Sequence, residues 1–198
     1  MVKSILIATT NAGKVREILR ILDGLPHELK TLADFPGIPV PEETGATFAE
    51  NASQKARHYA GLAGMVTMAE DSGFEVDALN GDPGIFSARY LREDAQYDER
   101  FADIYRRVGD ARTGNRHARF VCALAVAQGD AVIFETTATV EGELAAAPAG
   151  PNGFGYDPVF FYPPYARTFG EVSDEEKTAV SHRGQAMRAF REFLIRCI

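Results

Sequence analysis

Hydrophobic residues along this chain alternate between short continuous runs and stripes spaced by three or four, the pattern of strands interleaved with helices. The run from Ile5 to Ala8 is short enough for a buried strand. Val15, Ile18, Leu19 and Leu22 follow at helical spacing, with Asn11 or Thr10 to cap the start and Gly24 to end it. Residues Phe35 to Pro41, with three prolines and a glycine, read as an irregular connection. Thr47 and Glu50 then have capping-box spacing, ahead of a helix whose inner face is Phe48, Ala52, Ala56, Tyr59 and Ala60 and which ends at Gly61 or Gly64.

Met65 to Ala69 is a second apolar strand, and it ends in the acidic pair Glu70 and Asp71, followed by Ser72 and Gly73. Carboxylates at a strand end suggest a site. Phe74, Val76 and Ala78 alternate with polar neighbours, Gly81 to Gly84 is a turn, and Tyr97 to Val108 makes a surface helix. Phe120 to Ala127 and Ala131 to Val140 predict an antiparallel hairpin, and Val159 to Tyr162 a further strand. Ser181 caps a last helix with Ala186, Met187, Phe190, Phe193 and Leu194 on its buried stripe.

Composition narrows the class. At 198 residues, 45% hydrophobic and 25% charged, the chain is expected to form one globular domain, residues 1–198, that needs no staples. Cys122 and Cys197 lie far apart in no metal-ligand pattern, so a cytoplasmic location is expected. No long apolar segment predicts a membrane contact. A net charge of −7 argues against long nucleic acid as a partner, since phosphate neutralisation calls for a basic face. A single nucleotide is compatible with that charge through a few cations and a divalent metal with carboxylate ligands.

Three stretches carry candidate chemistry. Asn152 to Pro158, NGFGYDP, sets a ring and a carboxylate in a turn flanked by Gly153 and Gly155. A ring that stacks on a base, beside a hydrogen-bonding carboxylate, suits nucleobase recognition. Thr9, Thr10, Asn11, Ala12, Gly13 and Lys14 form a strand-turn-helix junction rich in donors, the outline of a phosphate cradle. It has neither the Walker A nor the dinucleotide-binding spacing. His182 and Arg183 stand in the first turn of the last helix, where the helix dipole disfavours cations, a local violation expected at a donor-rich site. Asn51 and Lys55, four apart on the second helix, share a face.

Taken together, the chain resembles the inosine triphosphate pyrophosphatases, also called dITP/XTP pyrophosphatases. The resemblance rests on TTNAGK at Thr9 to Lys14, EETG at Glu42 to Gly45, FAENASQKA at Phe48 to Ala56 and EDSG at Glu70 to Gly73. GDPGIFSARY at Gly81 to Tyr90, FGYDP at Phe154 to Pro158 and EEKTAVSHRGQA at Glu175 to Ala186 complete it. Seven blocks in this order span nearly the whole chain and are specific as a set.

The resemblance implies hydrolysis of ITP, dITP or XTP to the monophosphate and pyrophosphate. It implies an elongated α/β fold, with a mixed central sheet flanked by helices and a cleft between two lobes, commonly as a homodimer. Asp71 would be the catalytic carboxylate and a Mg²⁺ ligand, with Glu42 the other metal residue and Glu43 and Glu70 as substitutes for it. Ser72 would contact substrate beside the metal. The Thr9 to Lys14 turn, Asn51, Lys55 and Lys177 would meet the phosphates. Phe154 would stack on the purine, Gly155 and Tyr156 would line its pocket, and Asp157 would accept from a ring N–H, while His182 and Arg183 would donate to the 6-keto oxygen. Thr10 and Glu70 depart from the family pattern, where many relatives carry glycine and aspartate. Two other readings are a Maf-type pyrophosphatase, disfavoured by FGYD and SHRG, and a catalytically silent nucleotide-binding regulator, disfavoured by the acidic groups.

Overall fold

The computed structural model describes residues 4–111 and 114–197. Two compact units share the chain, one comprising the segment up to Asp71, Cys122–Ala138 and the segment from His182, the other Ser72–Val121 and Thr139–Ser181. Each has its own apolar core.

In the first unit, strand β1 (Ser4–Ile7) leads directly into helix α1 (Ala12–Ile21). Asn11 is the residue that caps α1, its Oδ1 accepting from the Lys14 N–H at 3.1 Å. The helix stops at Leu22, two residues before Gly24, whose φ of 74° lies in the following turn. Strand β2 (Glu28–Thr31) pairs in parallel with β1. Its sequence ELKT has no apolar run to mark it, because it is an edge strand with no buried residue. Helix α2 (Phe48–Ala63) starts at Thr47, whose side chain accepts from the Glu50 N–H, and ends at Gly64 in the left-handed conformation, φ 66°. Only half of the predicted capping box forms: the Glu50 carboxylate accepts from the Ala46 N–H, one residue ahead of the cap.

Strand β3 (Thr67–Val76) corrects the sequence reading most sharply. It does not stop at Ala69. Glu70, Asp71, Ser72 and Gly73 continue it into Phe74 and Val76, so the acidic pair sits inside a ten-residue strand. The pairing partner β1 runs parallel, with Leu6 opposite Thr67 and Ile7 opposite Met68. Helix α3 (Tyr97–Ala111) is followed by β4 (His117–Gln128) and β5 (Ala131–Leu144), joined at Gly129 with φ 57° and adjacent in the sheet as the hairpin pattern predicts. Strands β6 (Phe160–Tyr162) and β7 (Arg167–Thr168) add antiparallel pairs. Helix α4 (Asp174–Val180), which the sequence pattern did not announce, is started by a full capping box between Ser173 and Glu176. Ser181, extended at φ −66° and ψ 157°, separates it from helix α5 (His182–Cys197).

The strand order is β2-β1-β3-β4-β5-β6-β7, a mixed sheet. The first unit's core joins Ile5, Ile7, Ile18, Met68, Leu124 and Phe190, among others. Each such side chain contributes about 1.5–3 kcal/mol by burial. The second unit's core is aromatic, built on Phe74, Phe120, Tyr156, Phe160 and Phe169. No helix among the described residues is long and apolar enough to cross a membrane. Cys122 is buried and Cys197 exposed, both as free thiols.

Candidate active site

The pleat of β3 sends adjacent side chains to opposite faces, and this divides Glu70 from Asp71. Asp71 meets α2. Its Oδ1 accepts from Lys55 Nζ at 2.8 Å and its Oδ2 from Asn51 Nδ2 at 3.2 Å. Asn51 and Lys55, one helical turn apart, thus reach one carboxylate together, as their spacing predicts. The same Lys55 ammonium donates to Glu43 Oε1 at 2.8 Å. Burial alone would push the Lys55 ammonium down, but Asp71 and Glu43 together hold its pKa above the ordinary lysine value.

The EETG segment is tied to this cluster through its glycine. The Gly45 N–H donates to Asn51 Oδ1 at 2.8 Å, and a β-carbon at Gly45 would lie 2.7 Å from that oxygen. Any larger residue would therefore displace the amide that holds Asp71. Glu43 is the glutamate of this segment that joins Asp71 through Lys55, whereas Glu42 is exposed and forms no ion pair among the described residues. Among the described residues, no group of three histidine, cysteine or acidic side chains is gathered as a metal cage.

Glu70 meets α1 and α5 instead. Arg183 Nε donates to both Glu70 oxygens at 2.9 Å, Lys14 Nζ lies 3.2 Å from Oε1, and the Cys122 thiol donates to Oε2 at 3.0 Å. Arg183 Nη1 also donates to Glu17 Oε2 at 2.7 Å. Burial would raise the Glu70 carboxyl, but the charges of Arg183 and Lys14 outweigh it and hold the group well below the usual carboxylate range. Burial and the Glu70 charge push the Cys122 thiol up, so it stays protonated as a donor. Glu17 and Cys122 were not singled out in the sequence. Glu17 could have been, since it follows Lys14 by three positions on α1 and so shares its face.

In the Thr9 to Lys14 turn, Thr9 Oγ1 accepts from the Asn11 N–H at 3.2 Å, while Thr10, Asn11 and Ala12 are exposed at the helix start. His182, the first residue of α5, is buried beside Arg183.

The second unit holds the NGFGYDP turn. The Asp157 carboxylate accepts from the Phe154 N–H at 2.7 Å and from Lys177 Nζ at 2.6 Å, with both charged side chains almost fully buried. Gly153 has φ 73°, and a β-carbon there would lie 2.2 Å from Asp157 Oδ2, so only glycine lets the carboxylate fold back over the turn. Gly155 repeats the left-handed conformation at φ 66°. Lys177 also sits over the Phe154 ring, 4.5 Å from its centroid. Lys177 is therefore a neighbour of the aromatic ring and the Asp157 carboxylate. Tyr156 is part of the core: its ring stacks on Phe74 at 5.2 Å, and its hydroxyl donates to the Ser87 carbonyl at 3.0 Å. Tyr156 and Asp157 are both buried, the ring in the aromatic core and the carboxylate against Lys177, while Phe154 is half-buried.

A mixed sheet, one strand of which carries two buried, lysine-paired carboxylates on opposite faces, defines an α/β protein with a cation-paired carboxylate cluster on each side of that strand. The chain belongs to the Ham1 family, whose sequence model matches residues 5–193. It is 45% identical over 190 residues to the dITP/XTP pyrophosphatase of Geobacillus kaustophilus, covering 96% of this chain and 93% of that protein. With the dITP/XTP pyrophosphatase of Exiguobacterium sibiricum it shares 42% identity over 184 residues, 93% of each chain. Among solved structures, a HAM1 protein from Coxiella burnetii superposes with a TM-score of 0.92 at 38% identity, covering 98% of this chain and all of that one. The Ham1 protein of Staphylococcus aureus gives 0.87 at 36% identity, covering 98% of each.

Proposed function

We propose that this chain hydrolyses non-standard purine nucleoside triphosphates (ITP, dITP and XTP) to the monophosphate and pyrophosphate, removing deaminated purines from the nucleotide pool. The observation that carries the reading is the Asp71–Lys55–Glu43 cluster, where one ammonium lies 2.8 Å from each of two carboxylates. Cleaving an α–β phosphate bond asks mainly for positioning, charge neutralisation and an activated water. Asp71 is the group to accept the water's proton, and Lys55 and Asn51 fix its two oxygens. The exposed N–H groups at the start of α1 and the Lys14 ammonium are the donors for phosphate oxygens.

The same carboxylates suit Mg²⁺, which favours hard oxygen ligands and commonly takes one or two carboxylates beside substrate phosphates. Asp71 and Glu43 would hold it, with Glu42 next in sequence. The ion would neutralise charge on the phosphates. Ser72, following Asp71 on β3, would contact substrate there.

Base selection falls to the NGFGYDP turn. Phe154 offers the stacking face, and Asp157, fixed by Gly153, accepts from the N1 proton of a 6-keto purine. We place Lys177 with the base rather than with the phosphates, because Asp157 and Phe154 are its neighbours. His182 and Arg183 remain the candidate donors to the keto oxygen. Adenine lacks both the keto group and the N1 proton, which leaves buried groups unpaired at about 1–3 kcal/mol each. On the same reading the enzyme is one pyrophosphatase domain, since each unit is assembled from separated segments of chain, and it acts in the cytoplasm as a homodimer. Two free thiols suit a reducing compartment.

Initial rates with Mg²⁺ and a panel of ITP, XTP, dITP, GTP, ATP and dTTP test the assignment. ITP or XTP should exceed ATP in kcat/KM by about tenfold or more, which corresponds to one unpaired buried group. Phe154→Ala should raise KM for ITP by roughly tenfold with a smaller change in kcat, the scale of one lost base–aromatic stack. Equal rates across the panel would remove the purine-selecting role of this turn.

A further inference from the structure

Within the first unit, one carboxylate gathers two of the cations on which the proposed function draws. The Glu70 side chain has no exposed surface, and it is the carboxylate in ion-pair range of Lys14 among the described residues. Its Oε1 faces Lys14 at 3.2 Å while both its oxygens accept from Arg183 Nε at 2.9 Å. The thiol of Cys122 supplies a further donor to Oε2 at 3.0 Å. Glu17, by contrast, holds Arg183 at 2.7 Å and forms no ion pair with Lys14.

A lysine side chain has several freely rotating bonds, and an unpaired ammonium at a helix start samples many positions. Buried on β3 and clamped by a guanidinium, Glu70 cannot follow those motions. It therefore gives the Lys14 ammonium one preferred place, at the N-terminus of α1. Asp71, the next residue on the same strand, is directed to the other face, so the strand fixes a catalytic carboxylate and a phosphate-binding cation from one segment of backbone. We propose that Glu70 is a positioning residue, acting through Lys14 to pre-set the triphosphate site, and is not itself a metal ligand. The inference rests on the assignment of Lys14 to the substrate phosphates.

Glu17 provides the internal control. Glu70→Gln and Glu17→Gln each leave Arg183 with one carboxylate fewer, but only Glu70→Gln removes the partner of Lys14. The measurements are KM and kcat for ITP, and competitive inhibition by inorganic pyrophosphate. Glu70→Gln should raise KM and the pyrophosphate inhibition constant by about tenfold, and Glu17→Gln should leave both within about twofold. In a Lys14→Met background the Glu70→Gln change should fall below about threefold, because the residue through which it acts is gone. Glu70→Asp keeps the carboxylate charge that stabilises the fold beside Arg183 but draws it back by one methylene from Lys14 and Arg183 alike, so it should raise the inhibition constant by about threefold. It decides the matter should the glutamine variant not fold.

Equal effects of Glu70→Gln and Glu17→Gln would overturn the proposal by showing a counterion role for Arg183 alone. An unchanged inhibition constant in Glu70→Asp would overturn it as well. A wild-type protein that releases no pyrophosphate from ITP, and is not inhibited by it, would instead sink the proposed function, so the two failures are distinguishable.

Discussion

Asp71→Asn is expected to reduce kcat for ITP by about 10³-fold or more, within or beyond the range typical of a lost general base, while binding of ITP changes by only a few-fold. The substitution preserves volume but sets donor against donor. Asp71 accepts from Lys55 at one oxygen and from Asn51 at the other, so an amide NH₂ must face one of them. The charge that draws a water proton is lost at the same time. Rapid-quench turnover together with equilibrium binding of ITP separates the two effects. Lost binding with normal turnover per bound complex would contradict the catalytic role of Asp71.

Arg183→Ala is expected to cost about 3–5 kcal/mol of folding stability, the scale for removing one partner of a buried ion pair. Glu70 and Glu17 would both keep their charges without it, and Glu70 has the more enclosed position. The pH dependence follows from the sign of the Glu70 shift. Its carboxyl titrates below the ordinary 4.5 in the folded protein, so the stability it contributes is present above that value and is lost as the pH falls below it. The gap between wild type and variant in urea unfolding should therefore be large at pH 7 and should narrow as the pH falls below about 4.5. A gap that stays constant over that range would show that Glu70 is not held by Arg183. In enzyme assays of the folded fraction, the preference for ITP over ATP should erode; an unchanged ratio would move keto recognition away from Arg183.

Much of this architecture was legible from the residues because local chemistry agreed with the fold. Asn11 and Thr47 accept from the N–H groups that their positions predict, and Gly64 ends α2 in the left-handed conformation. The hairpin β4–β5 follows its apolar runs. Three features were hidden for physical reasons. Strand β2 is a polar edge, with nothing apolar to bury. Helix α4 is seven residues long, too short for a stripe to declare itself. Strand β3 runs through an acidic pair that sequence logic assigns to a strand end, because its charges are neutralised by partners distant in the chain. Arg183 is 113 positions from Glu70 and 166 from Glu17.

The candidate site shows the same division. Residue types and spacing drew notice to Asn51, Lys55, Phe154, Asp157 and the Glu70–Asp71 pair, and the family resemblance chose Asp71 from that pair; the fold places Asp71, Asn51 and Lys55 in one tight cluster and Phe154 and Asp157 in another. Residue types and spacing did not show that Glu43 is the partner of Lys55, that Tyr156 belongs to the core, or that Lys177 lies on Phe154. Those distinctions depend on which way a side chain turns at one position. Neither period nor motif encodes it.

The central claim is hydrolysis of the bond between the α- and β-phosphates of a 6-keto purine triphosphate. The most direct measurement incubates the protein with ITP and Mg²⁺ and resolves the products at less than a tenth of turnover. Inosine monophosphate and pyrophosphate in equal amounts, with no inosine diphosphate, is the predicted result; orthophosphate and inosine diphosphate as the first products would contradict it.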